Sequence, residues 1–147
     1  MYERILVATD GSPLSDKAVE HSLALAKLNG ASLVALKVVP RYPRSYLEGG
    51  ATVDNSEIKR IEAQWSEQAQ EVLNKIKAQG KAAGVTVKTS IAKSDLIAES
   101  IISAAEKQTA DLIVMASHGR KGIKRLLLGS ETQHVLTHSK VPVLVLR

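Results

Sequence analysis

The chain alternates short apolar runs with longer amphipathic segments, and this alternation restricts the possible folds more than any other feature. A compact apolar run closed by turn residues is typical of a strand that is buried on both faces. Parallel strands need a crossover between them, usually a helix. The pattern therefore predicts an α/β fold with a parallel sheet and helices on both of its faces. The predicted strands are 3–9, 31–39, 85–91, 110–117 and 140–146.

Helical segments separate these runs, and each has recognisable boundary residues. Serine and aspartate are good N-caps, proline suits the first helical position, and glycine ends helices. For the first helix these residues are Ser12 before it, Pro13 at its first position and Gly30 at its end. The second helix lies between Asp54 and Gly84, Ser94 precedes the third helix, and Ser130 begins the last. The residues predicted to face the core are Val19, Leu23 and Ala26, then Ile58, Ile61, Trp65, Ala69, Val72 and Ile76, then Ile97, Ile101 and Ala104.

Length and composition limit the class of protein. With 147 residues the chain is expected to form one domain, residues 1–147, that buries a core without disulfides. The absence of cysteine excludes disulfides and thiolate zinc sites. No apolar stretch has the length of a signal peptide or a membrane span. We therefore expect a cytoplasmic protein with no membrane partner.

The positive charge raises the question of a nucleic-acid partner. The formal net charge is +5, but aromatic residues make up only 3% of the chain and Phe is absent. Few side chains are thus available for stacking on bases. Much of the excess charge lies on predicted exposed helix faces, for example at Lys75, Lys77 and Lys81. We interpret the charge mainly as solvated surface and expect no nucleic-acid partner.

Two loops have the chemistry of a ligand site. In open parallel sheets, ligands bind beyond the carboxyl ends of the strands, where the strand order reverses. One loop, residues 8–12 (ATDGS), follows the first strand, and the other, residues 116–130 (ASHGRKGIKRLLLGS), follows the fourth. If the first and fourth strands are neighbours, both loops line the same crevice.

The second loop has three features that favour a phosphate-bearing ligand. Gly119 and Gly129 permit positive φ angles and a close approach of the main chain to a ligand. The N–H groups from Gly129 onward begin a helix, where unpaired donors and the helix dipole attract an anion. Positive side chains lie between the two glycines at Arg120, Lys121, Lys124 and Arg125. We therefore expect an anionic ligand at this loop.

Other interpretations of these residues remain open from the pattern alone. Ser130 with Gln133 fits a capping box, which would engage the Ser130 hydroxyl without a ligand, although a ligand could still use the main-chain amides. Glu131 suits a helix N-terminus but would repel a phosphate if its side chain turned inward. Asp10 fits an ordinary turn residue, an acceptor for ribose hydroxyls or a partner of a metal ion.

The histidines do not define a catalytic or a metal site. His134 and His138 are four residues apart on one helix, the spacing of a metal pair, but no third ligand is evident. His118 is placed to contact a ligand, but no serine and carboxylate are arranged with it as in a catalytic triad. The loop lacks the Gly-Lys-Ser/Thr ending of a P-loop, and the dinucleotide pattern G-x-G-x-x-G is missing. We expect no metal site and, without an obvious water-activating base, no efficient catalysis.

Several motifs together produce a specific resemblance. The stretch ILVATDGS, the irregular segment after the second strand, ASHGRKGIKRLLLGS and the closing VPVLVL resemble a single-domain universal stress protein over essentially the full chain. The nucleotide-binding branch of that family is marked by G-x2-G-x9-G-(S/T). The aligned residues here are Ala116, Gly119, Gly129 and Ser130, so the spacing is intact and alanine replaces the first glycine.

The resemblance implies a doubly wound five-stranded parallel sheet with the order 3-2-1-4-5 and a site for an adenine nucleotide, ATP or AMP, with Mg²⁺ as an optional companion. Asp10 would hold the ribose, and the main chain of Val38 would meet the adenine. Strand 141–146 would pair with its twin in a homodimer. The other residues implied at the site are Ala8, Thr9 and Met115 around the base, Gly119, Arg120, Gly129, Ser130, Glu131 and Thr132 at the phosphates, and Ala116 and His118 in the same loop.

The chain departs from the family pattern at two places. Ala116 adds a methyl group where the main chain would approach the ligand, and Ala92-Lys93-Ser94 stands where relatives often have Gly-x-Pro. The family also includes a branch that does not retain nucleotide. The resemblance therefore leaves more than one function open.

The leading hypothesis is a stress-response regulator that binds an adenine nucleotide and signals its occupancy through the dimer or through segment 40–54. The first alternative is a dimeric interaction protein with an empty crevice. The second is a slow ATP hydrolase or an autophosphorylating protein modified at Ser130 or Thr132.

Overall fold

Strands and helices alternate along the chain as the sequence pattern predicts. The computed structural model describes residues 1–43, 54–119 and 128–147. Most of the predicted irregular segment 40–54 lies outside these ranges, as do the four basic residues between Gly119 and Gly129. In chain order the elements are β1 (Arg4–Ala8), α1 (Pro13–Asn29), β2 (Ser32–Val39), α2 (Asn55–Ala83), β3 (Val87–Lys93), α3 (Ile97–Lys107), β4 (Leu112–Ala116), α4 (Ser130–His138) and β5 (Val143–Leu146).

The strands form one five-stranded parallel sheet in the order β3-β2-β1-β4-β5, which confirms the predicted order. β1 is central: Ile5 aligns with Leu33 of β2 on one side and with Leu112 of β4 on the other. The chain first builds outward through β2 and β3 and then returns to add β4 and β5 on the other side. The strand order thus reverses between β1 and β4, so a crevice is expected at their carboxyl ends.

Alternate side chains of β1 enter two separate apolar cores, because successive residues of a strand point to opposite faces. Ile5 packs with Val19 of α1 and Leu73 of α2 on one face of the sheet. Leu6 packs with Ile101 of α3 on the other face, where α4 also lies. All of these side chains are buried. Helices therefore cover both faces, as predicted.

The first two helices begin and end at the predicted residues. The side chains of Ser12 and Asp54 each accept a backbone N–H from the first turn that follows them. Gly30 and Gly84 end the helices with φ angles of 65° and 76°, a left-handed conformation that only glycine adopts without strain. The boundary residues were sufficient to predict the ends of these two helices, because each cap contacts only the turn next to it.

The long helix α2 faces the sheet with a stripe close to the predicted one. Ile61, Trp65 and Val72, which were predicted to face the core, are only half-buried. The fully buried residues of α2 are Ile58, Ala69, Leu73, Ile76 and Gly80. None of the helices within the described ranges combines the length and the apolar character that crossing a bilayer requires.

The start and the buried face of α3 differ from the prediction. Its N-cap residue is Leu96. The hydroxyl of Ser94, the predicted cap, instead accepts the Leu96 N–H at 3.0 Å, before the helix begins. Ile97 is 42% exposed, and Ala104 is only half-buried. The stripe that faces the sheet is offset by one residue from the predicted stripe, except at Ile101, which belongs to both. The buried residues are Ala98, Ile101 and Ala105.

Three strands begin two or more residues later than predicted. The Ala110 N–H donates to Ala105 O at 2.9 Å and so closes the end of α3, and β4 begins only at Leu112. The Val85 N–H donates to Gly80 O at 2.8 Å and so closes the end of α2, and β3 begins only at Val87. Pro142 has no N–H to donate, and β5 begins after it at Val143.

Candidate functional site

A cleft opens at the carboxyl ends of β1 and β4, where the strand order reverses. The space inside it, counting the part that is open to solvent, is about 650 Å³. Of the predicted site residues, Arg120 lies outside the described residues, and Gly129 and Ser130 do not line the cleft. The predicted residues that line it are Ala8, Thr9, Asp10, Val38, Met115, Ala116, His118, Gly119, Glu131 and Thr132.

The loop after β1 is closed by its own hydrogen bonds. Asp10 Oδ1 accepts the Ser12 N–H at 2.9 Å. Thr9 Oγ1 accepts the Gly11 N–H at 3.2 Å and lies 3.1 Å from Ser15 Oγ. Asp10 is therefore a turn residue, and it also lines the cleft. The turn interpretation and the ligand interpretation of Asp10 are compatible.

The N-terminus of α4 is fastened directly to the end of β4. The Gly129 N–H donates to Ser117 O at 2.8 Å. Thr132 Oγ1 donates to Ala116 O at 3.0 Å and to Ser117 O at 3.2 Å, and Thr132 is only 2% exposed. The hydroxyl of Thr132 thus holds α4 against β4. Only the main chain of Thr132 is therefore available to contact a ligand.

The first turn of α4 has no cap. Its N-cap residue is Gly129, which has no side chain to offer, and no side-chain cap is formed. Among the described residues, no acceptor receives the N–H groups of Ser130, Glu131 and Thr132, whereas the Gln133 N–H donates to Gly129 O at 3.0 Å. An anion ahead of this turn would meet several aligned donors and the positive end of the helix dipole.

The capping-box interpretation of Ser130 is wrong. Ser130 is the first residue of the helix rather than its cap, and it is exposed. The side-chain amide of Gln133 donates to Leu128 O at 2.9 Å and does not reach back to Ser130. Gly129 has the extended conformation of an N-cap residue, φ −60° and ψ 154°, so the N-cap position lies one residue earlier than the serine suggested and carries no side chain.

Gly119 and Gly129 both lie close to other protein atoms. Neither has a positive φ, so the conformational freedom that glycine permits is not used there. A Cβ atom on Gly129 would lie 3.3 Å from Ser117 O, and one on Gly119 would lie 2.6 Å from Asp10 Oδ2. The atoms that approach these glycines are therefore protein atoms, and Gly119 brings the two loops into contact.

Val38 presents its peptide groups at the other end of the cleft. Alternate residues of a strand bond to opposite neighbours, and Leu36 faces β1, since its carbonyl accepts the Thr9 N–H at 2.9 Å. Val38, two residues later, faces the same side, but β1 has already ended at Ala8. Within the described chain no protein group pairs with the Val38 N–H or C=O on that side. An adjacent donor and acceptor suit the edge of a planar base.

Apolar side chains form the wall between these two ends. Ile97 and Ile101 of α3 lie one turn apart in the cleft, opposite Met115 of β4 and near Leu36 of β2. The sequence pattern predicts that both isoleucines face the core. Ile101 is buried as predicted, whereas Ile97 is 42% exposed. A spacing of four does not distinguish a core from a cleft wall. Ser15 is also part of the lining, and no sequence signal separated it from the rest of α1.

Alanine fits the position where the family motif has its first glycine. Ala116 is the last residue of β4 and is aligned with Leu146 of β5. Its φ is not positive, since Thr109 is the one non-glycine residue with positive φ in the described ranges. The methyl group therefore causes no backbone strain and leaves the cleft open. The other departure, 92–94, does not line this cleft.

The cleft-lining side chains of Glu131 and His118 also contact protein neighbours. Glu131 Oε2 accepts the N–H of Ala98, in the first turn of α3, at 3.0 Å. His118 Nδ1 lies 3.1 Å from the hydroxyl of the adjacent Ser117. No carboxylate pairs with His118 in the part of the chain that the structure describes, so the orienting group of a catalytic triad is not found there.

The histidine pair of α4 lies apart from the cleft. The ring centroids of His134 and His138 are 4.3 Å apart, and His134 Nε2 is 3.4 Å from Glu99 Oε1. Across residues 1–43, 54–119 and 128–147, no group of three or more His, Asp or Glu side chains is arranged to hold a metal ion.

Comparison with known proteins identifies the family to which this fold and cleft belong. Residues 1–147 match the model of the Universal stress protein family. The chain belongs to the universal stress protein family. It is 35% identical over 149 residues to universal stress protein MJ0531 of Methanocaldococcus jannaschii, covering 100% of this chain and 83% of that protein. The family predicted from the sequence motifs is confirmed.

Solved universal stress proteins share the architecture. The structure of MJ0577, from the same archaeon, superposes with a TM-score of 0.81 at 29% identity and covers 99% of this chain and 96% of its own. A universal stress protein in complex with cAMP superposes with a TM-score of 0.72 at 24% identity, covering 99% of this chain and 97% of its own. At 24% identity the second likeness is one of fold.

Proposed function

We propose that this universal stress protein is a stress-response regulator that binds an adenine nucleotide, ATP or AMP, in the cleft at the carboxyl ends of β1 and β4. The observation that carries this proposal is the uncapped first turn of α4, where the N–H groups of Ser130, Glu131 and Thr132 have no acceptor among the described residues. Such a helix N-terminus is a common site for phosphate. The adenine and the ribose would then extend toward β2.

The proposed ligand lies along the cleft. The adenine occupies the apolar wall and bonds to the N–H and C=O of Val38, with Ala8, Thr9 and Met115 around it. Asp10 accepts hydrogen bonds from the ribose hydroxyls. The proposed phosphate contacts are Gly119, Arg120, Gly129, Ser130, Glu131 and Thr132, with Ala116 and His118 beside them.

One protein of the same fold supports the choice of an adenine nucleotide as the ligand. A protein with the same architecture was solved in complex with cAMP, so this fold accommodates an adenine nucleotide. The motif spacing from Ala116 to Ser130 adds support from this chain itself. Mg²⁺ is proposed only as a companion of the phosphates.

We also propose that the chain is a single cytoplasmic domain that forms a homodimer through 141–146. β5 is an edge strand, and its four residues, VLVL, are all apolar and half-buried. An apolar edge with unpaired backbone groups favours association with a second strand. Light scattering after size-exclusion chromatography tests the dimer, and a monomer at all concentrations would contradict it.

The nucleotide proposal is tested by extraction and titration. Purified protein is denatured, the supernatant is analysed for nucleotide by chromatography, and nucleotide-free protein is titrated with ATP, AMP and GTP in a calorimeter. We expect saturable binding of ATP and AMP and weaker binding of GTP, because the donor and acceptor on the guanine edge are reversed relative to adenine. A blank extract together with no saturable binding would favour the interaction-protein alternative.

The catalytic alternative is tested separately. Of the two hydroxyls considered for autophosphorylation, that of Thr132 is buried and bonded to two carbonyls, while Ser130 is exposed. We expect equally slow phosphate release from ATP by the wild type and by Ser130→Ala. Faster release by the wild type, or a phosphate on Ser130 in the mass spectrum, would favour the enzyme.

A further inference from the structure

The first turn of α3 is capped by a residue from another helix. The N-cap residue of α3 is Leu96, and α3 forms no cap with a side chain of its own preceding turn. The Ser94 hydroxyl is engaged earlier, with the Leu96 N–H at 3.0 Å. The Ala98 N–H, at the second helical position, instead donates to Glu131 Oε2 at 3.0 Å. A carboxylate at this position satisfies one unpaired donor and interacts favourably with the helix dipole.

The carboxylate that caps α3 also lies at the proposed phosphate end of the cleft. Glu131 is the second residue of α4 and lines the cleft. Covalent geometry keeps its carboxylate within about 6 Å of its own backbone N–H, wherever the side chain turns. Because the carboxylate bonds to α3, it does not occupy the N–H groups of its own helix. One residue therefore leaves the anion site open and places a negative charge next to it.

The same contact reaches the apolar wall of the cleft. Ala98 lies between Ile97 and Ile101, the two α3 residues in the lining. A bond from α4 to the Ala98 N–H holds the first turn of α3, and with it this wall, against the start of α4. The phosphate end and the base end of the cleft are thus joined through the Glu131 side chain.

We propose that Glu131 is a positioning and specificity residue: its carboxylate caps α3 across the cleft and, held there, disfavours ligands in proportion to their phosphate charge. The capping part stands on the observed contact, and the specificity part rests on the proposed function. A fixed negative charge near the phosphates opposes each further negative charge on the ligand. The site would therefore favour nucleoside monophosphates over triphosphates more strongly than it would without this residue.

The cap is tested without any nucleotide. Amide hydrogen exchange at Ala98 is measured in the wild type, Glu131→Gln and Glu131→Ala. Glutamine keeps a carbonyl acceptor and alanine removes it, so we expect protection to fall about tenfold in Glu131→Ala and to be largely restored in Glu131→Gln. Equal protection in all three proteins would overturn the cap. Circular dichroism confirms that the variants remain folded.

The specificity is tested with a charge series. Dissociation constants of adenosine, AMP, ADP and ATP are measured for the wild type and Glu131→Gln, with EDTA and again with Mg²⁺. We expect the substitution to tighten binding by about threefold for AMP and about tenfold for ATP in EDTA, with the smallest change for adenosine. Glu106→Gln is the matched control, since it removes one charge from the exposed far end of α3.

The outcomes separate this proposal from the function on which it rests. A uniform change across the four ligands, or weaker ATP binding in Glu131→Gln, would overturn the specificity while leaving nucleotide binding in place. No binding of any ligand by the wild type would overturn the proposed function and the specificity together. Hydrogen exchange at Ala98 would still decide the cap.

Discussion

The helices α1 and α4 both begin at the carboxyl edge of the sheet, after the neighbouring strands β1 and β4, but their first turns differ in capping. In α1, Pro13 has no N–H and the Ser15 N–H donates to Ser12 Oγ at 3.2 Å. The Ser12 N–H in turn donates to Asp10 Oδ1 at 2.9 Å. In α4 the cap position holds Gly129, and no side chain caps the turn.

The difference shows how similar helix starts acquire different capacities. A first turn that is bonded to its own side chains gains stability and has few donors left for a ligand. An uncapped turn keeps its donors and so can bind an anion, at some cost in stability without ligand. Asp10, which accepts the Ser12 N–H before α1, also approaches Gly119 in the loop that leads from β4 toward α4.

The largest expected effect comes from adding a side-chain cap to the uncapped first turn of α4. Gly129→Asp places a carboxylate at the cap of α4, where it accepts the N–H groups that a phosphate would use and repels the phosphate. We expect ATP binding to weaken by on the order of 100-fold or more, measured by calorimetry.

Two measurements make the Gly129→Asp result specific. Gly129→Asn has the same shape without the charge, and we expect an intermediate affinity. Thermal unfolding of both variants checks that the fold survives the added Cβ atom, which would lie 3.3 Å from Ser117 O. Unchanged ATP affinity in Gly129→Asp would exclude this turn as the phosphate site.

The second prediction concerns the contact between the two loops. In Gly119→Ala the new Cβ atom would lie 2.6 Å from Asp10 Oδ2, so the carboxylate must move. Because the displaced atom is the end of a side chain, we expect a stability change below about 0.5 kcal/mol. Nucleotide affinity should fall about tenfold if Asp10 holds the ribose. Equal affinities for adenosine in variant and wild type would remove Asp10 from the site.

The third prediction concerns the contribution of the α1 cap to the free energy of unfolding. Ser12→Ala removes the side-chain cap of α1, and we expect unfolding in urea to become easier by about 1 kcal/mol. Ser130→Ala is the matched control, because Ser130 is exposed and caps nothing, and its effect should stay below about 0.5 kcal/mol. Equal losses of stability in the two variants would contradict the difference between the capped first turn of α1 and the uncapped first turn of α4.

The smallest expected effect is a pH dependence of stability that arises from Asp54, the N-cap residue of α2. Hydrogen bonds from the Ser56 hydroxyl and then from the Ser56 N–H lower the pKa of Asp54. A lowered folded-state pKa contributes stability that is fully present above the ordinary aspartate pKa and is lost as pH falls through the folded value. We expect the urea midpoint of the wild type to approach that of Asp54→Asn as pH decreases below about 4. A pH-independent difference would contradict this.

The family could be predicted because its motifs are short stretches of sequence, and the strand order followed only from the resemblance to that family. The capped first turn of α1 could be predicted because its signals are local. Ser12, Pro13 and Gly30 act within one turn of where they stand. The two ligand loops were also predicted, since each directly follows a strand. The isoleucine wall was not, because periodicity places Ile97 and Ile101 on one face of α3 without saying what that face meets.

Residues close in sequence thus determined the elements and the caps of α1 and α2. Folding decided which side chains meet across the cleft: Glu131 with the N–H of Ala98, and Asp10 with Gly119. These pairs are separated by 33 residues or more and join different elements, so no spacing rule contains them. They depend on the sheet order, which brings the ends of β1 and β4 and the starts of α3 and α4 to one edge.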